Sequence, residues 1–366
     1  MNFNNAFIIL VLFAYCSVSH FISCDSLEIS EGKRILIDTV TIDSLMMGYD
    51  FNDSPGASIV IIEGGQIIFS KGYGLAKLDN AIPVSELTNF RLASISKQFT
   101  AMAIMILYSR DKLDYDQTLT DFFPDFPNYG TSITIRHLLH HTSGLRDYFT
   151  LVSDTVKRQL KDDDVLELMM AQNSTYFPPG TEYRYSNSGY ALLALVVEHI
   201  SNQSFADFLY ENIFLQIGMN NSLAYEKNIS IIDNRAMGYK FLNGAFVLND
   251  QSLTSAVLGD GGIYSSVKDL ATWDNALYTS QLVPYGILNE AFISGTISSG
   301  SEIGYGFGWV IDNYLYRERV SHTGSTAGFK NVYHRYPNER LSIIILTNRS
   351  SGSPKDIADS IAESIF

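Results

Sequence analysis

The sequence predicts an α+β fold in which strands come from both ends of the chain and a mostly helical segment is inserted between them. Near the N-terminus, the strand-like runs 56–63 and 66–74 flank Gly64-Gly65, which is typical of a β-hairpin. Near the C-terminus, residues 329–336 and 341–347 flank a Pro-Asn pair in the same way. Between these hairpins, residues 111–260 have the pattern of helices and loops, so we expect one unit with a helical insert.

The remaining elements follow from apolar periodicity. A continuous apolar run predicts a long helix over 90–110, and a strand over 319–321 should end at His322-Thr323-Gly324. The C-terminal helix should begin with Ser353 as its N-cap and Pro354 in its first turn. The other predicted elements are helices over 162–172 and 189–200 and a strand over 305–311.

The composition narrows the class of protein. The chain has 366 residues, of which 46% are hydrophobic and 17% are charged, which is typical of a globular protein. Its formal net charge of -14 disfavours nucleic acid and anionic membrane surfaces as main partners. We therefore expect a small-molecule partner and no nucleic acid.

The first residues resemble a leader. Residues 6–18 are apolar but number fewer than the roughly 20 residues that a spanning helix needs. They fit the apolar region of a secretory signal, and Ser17-Val18-Ser19 offers a cleavage site. We expect a signal peptide over 1–24, a catalytic domain over 25–366 with 111–260 as its insert, and a secreted or extracytoplasmic product. An uncleaved membrane anchor is the alternative.

Both cysteines belong to this leader region. Cys16 lies inside it and Cys24 lies at its end, so the mature chain keeps at most one cysteine. An internal disulfide, a cysteine nucleophile and a cysteine-based zinc site are therefore excluded.

The stretch Ser94-Ile95-Ser96-Lys97 opens the apolar helix with a hydroxyl and an amine. Residues three apart on a helix are neighbours, so Ser94 and Lys97 should lie side by side. A serine becomes a nucleophile when a base takes its proton, and lysine is such a base only when it is neutral. The same spacing also occurs at Ser30 and at Ser265, so the spacing alone leaves the choice open.

Two further stretches carry polar groups that could complete such a site. Tyr185-Ser186-Asn187 follows a turn-rich segment and precedes a helix, so a phenol and an amide can point the same way. His322-Thr323-Gly324-Ser325 lies at the end of a predicted strand, where glycine lets a substrate approach the backbone closely.

These three stretches, in this order and spacing, resemble the motifs of the serine β-lactamase and penicillin-binding-protein superfamily. The closest resemblance is to its class C-like branch, which contains β-lactamases, DD-peptidases, D-aminopeptidases and esterases. It covers about residues 35–350. Supporting stretches that also match are LLHHTSGL (138–145), FPPG (177–180), GDGGIYSSVKDLATW (259–273), YGFGW (305–309) and HTGSTAGF (322–329).

The resemblance implies a fold and a set of roles. The family fold is an antiparallel sheet flanked by helices with a helical domain beside it. No cofactor and no metal are implied. Carried over by position, the resemblance implies Ser94 as the acylating nucleophile, Lys97 as its proton acceptor and Tyr185 as the proton relay. It implies that the N–H groups of Ser94 and Ser325 form the oxyanion hole. The substrate-binding residues that it implies are Asn187, His322, Thr323, Gly324 and Ser325.

One position departs from the β-lactamases of this branch. They usually have lysine where this chain has His322, and a neutral histidine binds a substrate carboxylate less firmly than a permanent cation does. We therefore expect an exported serine hydrolase of the esterase or D-amino-acid peptidase type, acting on a small ester, amide or peptide. The alternatives are a dedicated β-lactamase and a non-catalytic penicillin-binding or sensor protein that retains the fold.

Other chemistries find less support in the sequence. His137, His140 and His141 should share one helical turn, where a metal is thinkable, but packing and capping explain them better. The chain contains no Gly-x-Ser-x-Gly, so the nucleophile elbow of the α/β-hydrolases is excluded. A dinucleotide fingerprint and a P-loop are also absent from the sequence.

Overall fold

The computed structural model describes residues 37–366, so the predicted leader and both cysteines lie outside the described residues. Thirteen strands occur in this part of the chain. They are β1 (Ala57–Glu63), β2 (Gln66–Tyr73), β3 (Leu75–Lys77), β4 (Ile82–Pro83), β5 (Phe90–Arg91), β6 (Leu223–Ala224), β7 (Tyr239–Leu242), β8 (Ala245–Leu248), β9 (Ile263–Ser265), β10 (Val310–Tyr314), β11 (Arg317–Thr326), β12 (Phe329–Tyr336) and β13 (Leu341–Thr347).

Eleven α-helices accompany these strands within residues 37–366. They are α1 (Thr39–Met46), α2 (Lys97–Ser109), α3 (Leu119–Phe122), α4 (Ile135–Leu139), α5 (Asp162–Met170), α6 (Asn187–Ser201), α7 (Phe205–Leu209), α8 (Leu215–Ile217), α9 (Val267–Ala276), α10 (Tyr285–Glu290) and α11 (Pro354–Ile365). A π-helical segment, Tyr210–Phe214, joins α7 to α8, and a 3₁₀ turn, Ala93–Ser96, leads directly into α2.

The largest sheet is built from the two ends of the described chain. Its order is β10-β11-β12-β13-β1-β2, and all of its neighbouring strands are antiparallel. Strands β1 and β2 come from residues 57–73, whereas the other four come from residues 310–347. The predicted α+β class and its construction from both ends are therefore confirmed. Strands β5, β9 and β6 form a second, three-stranded sheet beside it.

Helices cover both faces of the large sheet. Successive residues of a strand point to opposite faces of the sheet. In β13, Ile344 and Leu346 belong to the main hydrophobic core together with residues of α2. Ile343 and Ile345 are also buried, but they lie outside that core. Helix α9 packs against β1 and β13, and α11 packs against β12 and β13 with α1 beside it. Burial on both faces explains why β13 is a continuous apolar run rather than an alternating one.

Both predicted hairpins and the C-terminal helix match the structure. The turn between β1 and β2 is Gly64-Gly65 with φ of 57° and 83°, a conformation that favours glycine. The helix predicted over 90–110 is wrong at its start, because Phe90 and Arg91 pair with β9 instead. Ala93 then has a φ of 51°, which no α-helix contains, so the α-helix begins only at Lys97.

Two predicted strands have different limits in the structure. The strand expected over 305–311 begins only at Val310, because Gly304 and Gly308 have positive φ and turn the chain. The strand expected over 319–321 does not end at His322 but continues to Thr326, with Phe329 as the last partner in its pairing with β12. The His322-Thr323-Gly324 stretch is therefore part of β11 itself.

The segment 111–260 contains strands that the sequence analysis did not predict. Besides α3 to α8 it includes the short β6 and the hairpin of β7 and β8. Asn243 and Gly244 turn this hairpin with positive φ. Across residues 37–366, none of the helices combines the length and the apolar character that crossing a bilayer requires.

Candidate active site

The 3₁₀ turn and the start of α2 bring Ser94 and Lys97 together. Lys97 is the first residue of α2, and its Nζ lies 3.2 Å from Oγ of Ser94. The predicted contact between these two side chains is present, although Ser94 lies on the 3₁₀ turn rather than in the helix. A hydroxyl that donates its proton to an adjacent amine becomes a nucleophile.

Lys97 is completely buried, and three oxygens surround its amine. Besides the Ser94 contact, Nζ donates to Oδ1 of Asn187 at 2.9 Å and to the backbone oxygen of Asp260 at 2.8 Å. Burial lowers the pKa of Lys97 from its ordinary value to about 8, while the carboxylates of Asp260 and Asp147 oppose that shift. A minority of Lys97 is therefore neutral at pH 7 and most of it is neutral above pH 8, and the neutral amine is the form that a general base requires.

Tyr185 covers this pair, as the sequence predicted. Its ring centroid lies 5.0 Å from Nζ of Lys97 and 4.2 Å from the ring of His141. Its hydroxyl is buried and makes no well-aligned hydrogen bond, yet it lies close enough to Ser94 for that side chain to affect it. Burial raises the pKa of Tyr185, whereas the Ser94 hydroxyl lowers it, and the net effect is a rise. The phenol thus stays protonated and can pass on a proton.

His322 is held as a neutral imidazole. Its Nε2 lies 3.0 Å from the hydroxyl of Tyr305, and its Nδ1 lies 2.6 Å from the backbone oxygen of Thr323. A carbonyl oxygen only accepts, so Nδ1 carries the proton and Nε2 accepts from Tyr305. Burial, and secondarily the charge of Lys97, lower the pKa of His322 to about 3. Both ring nitrogens are therefore occupied within the protein.

A cleft of about 130 Å³ opens over Ser94. Its walls include Ser94, Tyr185, Asn187 and Ser325, four of the predicted site residues. The other predicted site residues, His322, Thr323 and Gly324 on β11 and the buried Lys97, are not among its walls. Thr323 and Ser325 are exposed on the same strand. The other residues that line the cleft are Arg91, Ala93, Tyr148, Phe149, Thr254, Asp260, Gly261 and Thr326.

Gly324 allows β11 to lie directly against the segment that carries Ser94. A Cβ added at this position would lie 2.1 Å from the backbone oxygen of Leu92 and 3.3 Å from Cβ of Ala93. Only glycine fits such an approach. Strand β11 and the 3₁₀ turn therefore form adjoining walls of the cleft, with Ser94 and Ser325 both among its lining residues.

Three groups at the site were not assigned from the sequence. The backbone oxygen of Asp260 holds Lys97, the carboxylate of Asp147 accepts from Asn187, and the His141 ring accepts from the N–H of Ser186 at 3.1 Å. All three lie in or next to stretches that carried the family resemblance. Because hydrogen bonds between distant segments leave no local pattern, only those stretches could have pointed to them.

The three neighbouring histidines do not share a helical turn, contrary to the sequence-based expectation. Helix α4 ends at Leu139, and His141 has a φ of 58° beyond it. His137 accepts from the N–H of Thr134 in a capping box, and His140 lies 3.0 Å from the backbone oxygen of Tyr305. Among residues 37–366, no group of three or more His, Cys, Asp or Glu side chains could hold a metal ion.

Comparison with known proteins decides the family. The family model described as Beta-lactamase matches residues 44–364, which is most of the chain. The chain belongs to the beta-lactamase family. This confirms the resemblance inferred from the motifs and makes the chain a serine hydrolase related to the β-lactamases. The match covers every predicted site residue, from Ser94 to Ser325.

Sequence comparison with individual proteins supports the same family assignment. The chain is 35% identical to penicillin-binding protein 4* of Bacillus subtilis over 334 residues, which are 87% of this chain and 72% of that protein. It is 26% identical to a D-aminopeptidase of Gluconobacter oxydans over 319 residues, 85% of this chain and only 59% of that protein.

Solved structures of the beta-lactamase family show the same fold. A penicillin-binding protein from Bacillus halodurans superposes with a TM-score of 0.77 at 28% identity, covering 91% of this chain and all of that one. An octameric penicillin-binding protein homologue from Pyrococcus abyssi gives a TM-score of 0.78 at 26% identity, covering 90% of this chain and 77% of that one.

Proposed function

We propose that the chain is an exported serine hydrolase that works through an acyl-enzyme on Ser94. The observation that carries the proposal is the buried amine of Lys97, whose Nζ lies 3.2 Å from Oγ of Ser94 and whose pKa is lowered to about 8. Burying an amine costs folding free energy, and buried groups with a strongly shifted pKa cluster at functional sites.

The proposed reaction begins when neutral Lys97 takes the proton of Ser94. The Ser94 oxygen then attacks the carbonyl carbon of the substrate, and the N–H groups of Ser94 and Ser325 stabilise the oxyanion. Tyr185 transfers a proton to the leaving group as its bond to the carbonyl breaks, and Lys97 passes the proton it took from Ser94 to Tyr185, which leaves the acyl group on Ser94 and both groups neutral. Water hydrolyses that ester by the reverse proton path and regenerates the hydroxyl.

The substrate is proposed to be a small ester or a D-amino-acid peptide or amide. The relatives named penicillin-binding protein and D-aminopeptidase support this class. A dedicated β-lactamase is less well supported, because its substrates carry a carboxylate and His322 is neutral with both nitrogens occupied. Export is supported by the apolar residues 6–18, and any membrane contact would be through that leader.

Labelling of Ser94 tests the nucleophile. A fluorophosphonate or a penicillin probe should modify the leaderless protein at Ser94, and Ser94→Ala should abolish both the label and turnover, by roughly a thousandfold or more. Ser265→Ala is the matched control because Ser265 begins another Ser-x-x-Lys match but is buried against Ser222 at 2.7 Å. Label that persists in Ser94→Ala would reject the proposal.

Steady-state kinetics distinguish an enzyme from a non-catalytic binder. We expect sustained turnover of p-nitrophenyl acetate or butyrate, whereas a sensor that acylates without deacylating would give a single-turnover burst. The same assay with D-alanyl amides, D-Ala-D-Ala peptides and nitrocefin, run beside Ser94→Ala, identifies the preferred class. Nitrocefin as the best substrate of this panel would favour the β-lactamase alternative.

A further inference from the structure

Asp147 connects the loop after α4 to the first turn of α6. One carboxylate oxygen, Oδ2, accepts from both the backbone N–H and the side-chain Nδ2 of Asn187, each at 3.1 Å. The other oxygen, Oδ1, accepts from the N–H of Phe149 at 3.1 Å. The carboxylate is partly buried and is not among the walls of the cleft over Ser94. Asp147 therefore makes no direct contact with a substrate in the cleft, and its hydrogen bonds reach the chemistry through Asn187.

The contacts of Asp147 determine which way the Asn187 amide points. A carboxylate only accepts hydrogen bonds, so the donor Nδ2 must face Asp147 and the acceptor Oδ1 must face Lys97. In the flipped amide, Nδ2 would lie against the amine of Lys97 and Oδ1 would lie against the carboxylate. Both of those contacts are repulsive when the amine is charged.

We propose that Asp147 is a positioning residue, which holds the Asn187 amide in the one orientation that supports Lys97 and leaves the second N–H of Nδ2 free for a substrate carbonyl. This inference rests on the proposed function of the same site. It assigns Asp147 a role in placing Lys97 beside Ser94 that the sequence motifs did not indicate.

Asp147 also contributes negative charge near the base. The carboxylates of Asp147 and Asp260 both favour the charged form of Lys97, so removing one of them should lower the pKa of Lys97 further. The other titratable groups that face Lys97 are the imidazoles of His141 and His322 and the phenols of Tyr185 and Tyr190, all of which are held uncharged by burial.

A double-mutant cycle tests whether Asp147 acts through Asn187. Asp147→Ala should lower kcat for p-nitrophenyl butyrate by roughly tenfold to a hundredfold with little change in KM, since it removes positioning rather than a substrate contact. Asp147→Asn keeps one acceptor oxygen and should recover part of kcat. In an Asn187→Ala background, Asp147→Ala should cause no further loss, because the group it positions is absent.

The pH profile provides a second, independent readout. Lys97 must be neutral to accept a proton, so the acid limb of kcat against pH follows its pKa. Asp147→Asn removes a negative charge, which favours the neutral amine, and the acid limb should therefore move to lower pH. Asp121→Ala is the matched control, because Asp121 also caps a short helix, accepting from the N–H of Thr118 at 2.6 Å, but is exposed and is not one of the carboxylates that act on Lys97.

The outcomes distinguish the inference from the proposed function. If Ser94→Ala retains turnover, the proposed function fails. If Ser94→Ala is inactive but Asp147→Ala has wild-type kcat and an unmoved acid limb, the positioning role fails alone. The inference would also be overturned if Asp147→Ala lowered kcat equally in the wild type and in Asn187→Ala and also lowered the melting temperature. Asp147 would then be only a structural cap.

Discussion

The side chain of Lys97 destabilises the hydrophobic core in which it is buried, yet it is the central residue of the candidate active site. An ammonium loses its hydration when it is buried, and here three oxygens replace only part of it. The result is an amine that gives up its proton near pH 8 instead of near its ordinary value of 10.5. Burial therefore destabilises the charged ammonium and favours the neutral amine, which is the form that can act as a base.

The pH dependence of catalysis should report this shift. For an uncharged ester, kcat/KM should rise with pH and reach half of its plateau near about 8, because the protonated form of Lys97 that dominates at lower pH cannot accept the Ser94 proton. The measurement is initial rates from pH 6 to 9.5, corrected with Ser94→Ala for uncatalysed hydrolysis. A flat profile across that range would contradict a lysine base.

The sequence could predict some of these residues but not others. Ser94, Lys97, Tyr185 and Asn187 were predictable because short spacings place them on one helical turn or one loop, and the family resemblance joined the segments. The complete burial of His322 and the contact of its Nε2 with the Tyr305 hydroxyl were not predictable, because both depend on segments that pack around β11. Asp147 and Asp260 were missed for the same reason, since their contacts join segments that are far apart in the chain.

At the level of elements, the cleft depends on the close packing of β11 against the turn that carries Ser94. Gly324 is the point of nearest approach, where the Leu92 oxygen occupies the space that a side chain would need. The sequence placed this glycine at a strand end, but it lies within the strand, three residues from Ala327, where φ turns positive. The pairing of β11 with β12 extends the strand past the residues 319–321 over which it was predicted.

Replacing Gly324 with alanine should separate these two walls. The added methyl group would lie 2.1 Å from the Leu92 oxygen, so the strand or the turn must move. A displacement of this size next to a nucleophile costs about a hundredfold in kcat/KM. Gly286→Ala in α10 is the control, because nothing lies within 4 Å of the added atom, and it should leave the ester hydrolysis rate unchanged. Equal activity of the two variants would contradict this packing argument.

Local patterns predicted the hairpins better than the helix starts. Alternation and paired glycines are properties of neighbouring residues, so β1, β2, β12 and β13 were located from the sequence. The apolar run from Phe90 onward looked like one helix, yet its first residues bond to β9 more than 170 positions later. Because β-pairing depends on the partner strand, the run itself could not show where the helix begins.

At the scale of the whole molecule, a buried polar cluster joins helix α9 to the main sheet. The carboxylate of Asp274, on α9, accepts from Nε of Arg335 and the hydroxyl of Tyr333 at 2.8 Å each, and from the hydroxyl of Ser342 at 2.7 Å. Arg335 and Asp274 are both almost completely buried. The cluster therefore fixes α9 against β12 and β13, the strands that join the two ends of the fold.

Neutralising Asp274 should destabilise the entire fold. Asp274→Asn leaves the guanidinium of Arg335 buried without a charged partner, and breaking such a pair costs about 3–5 kcal/mol of the free energy of unfolding. Chemical denaturation measures this loss. Glu86→Gln, in an exposed pair with Lys268 at 3.9 Å, should cost less than about 1 kcal/mol. Similar losses from both variants would mean that the cluster does not fix α9 to the sheet.

The position of β13 has a consequence for biosynthesis. Among the strands of residues 37–366 this one is made last, yet it lies between β12 and β1 in the middle of the sheet. Until residues 341–347 leave the ribosome, the early hairpin has an open edge and no permanent neighbour on that side. A nascent chain of this topology therefore cannot close its central layer until residues 341–347 have been made, although every predicted site residue lies N-terminal to them.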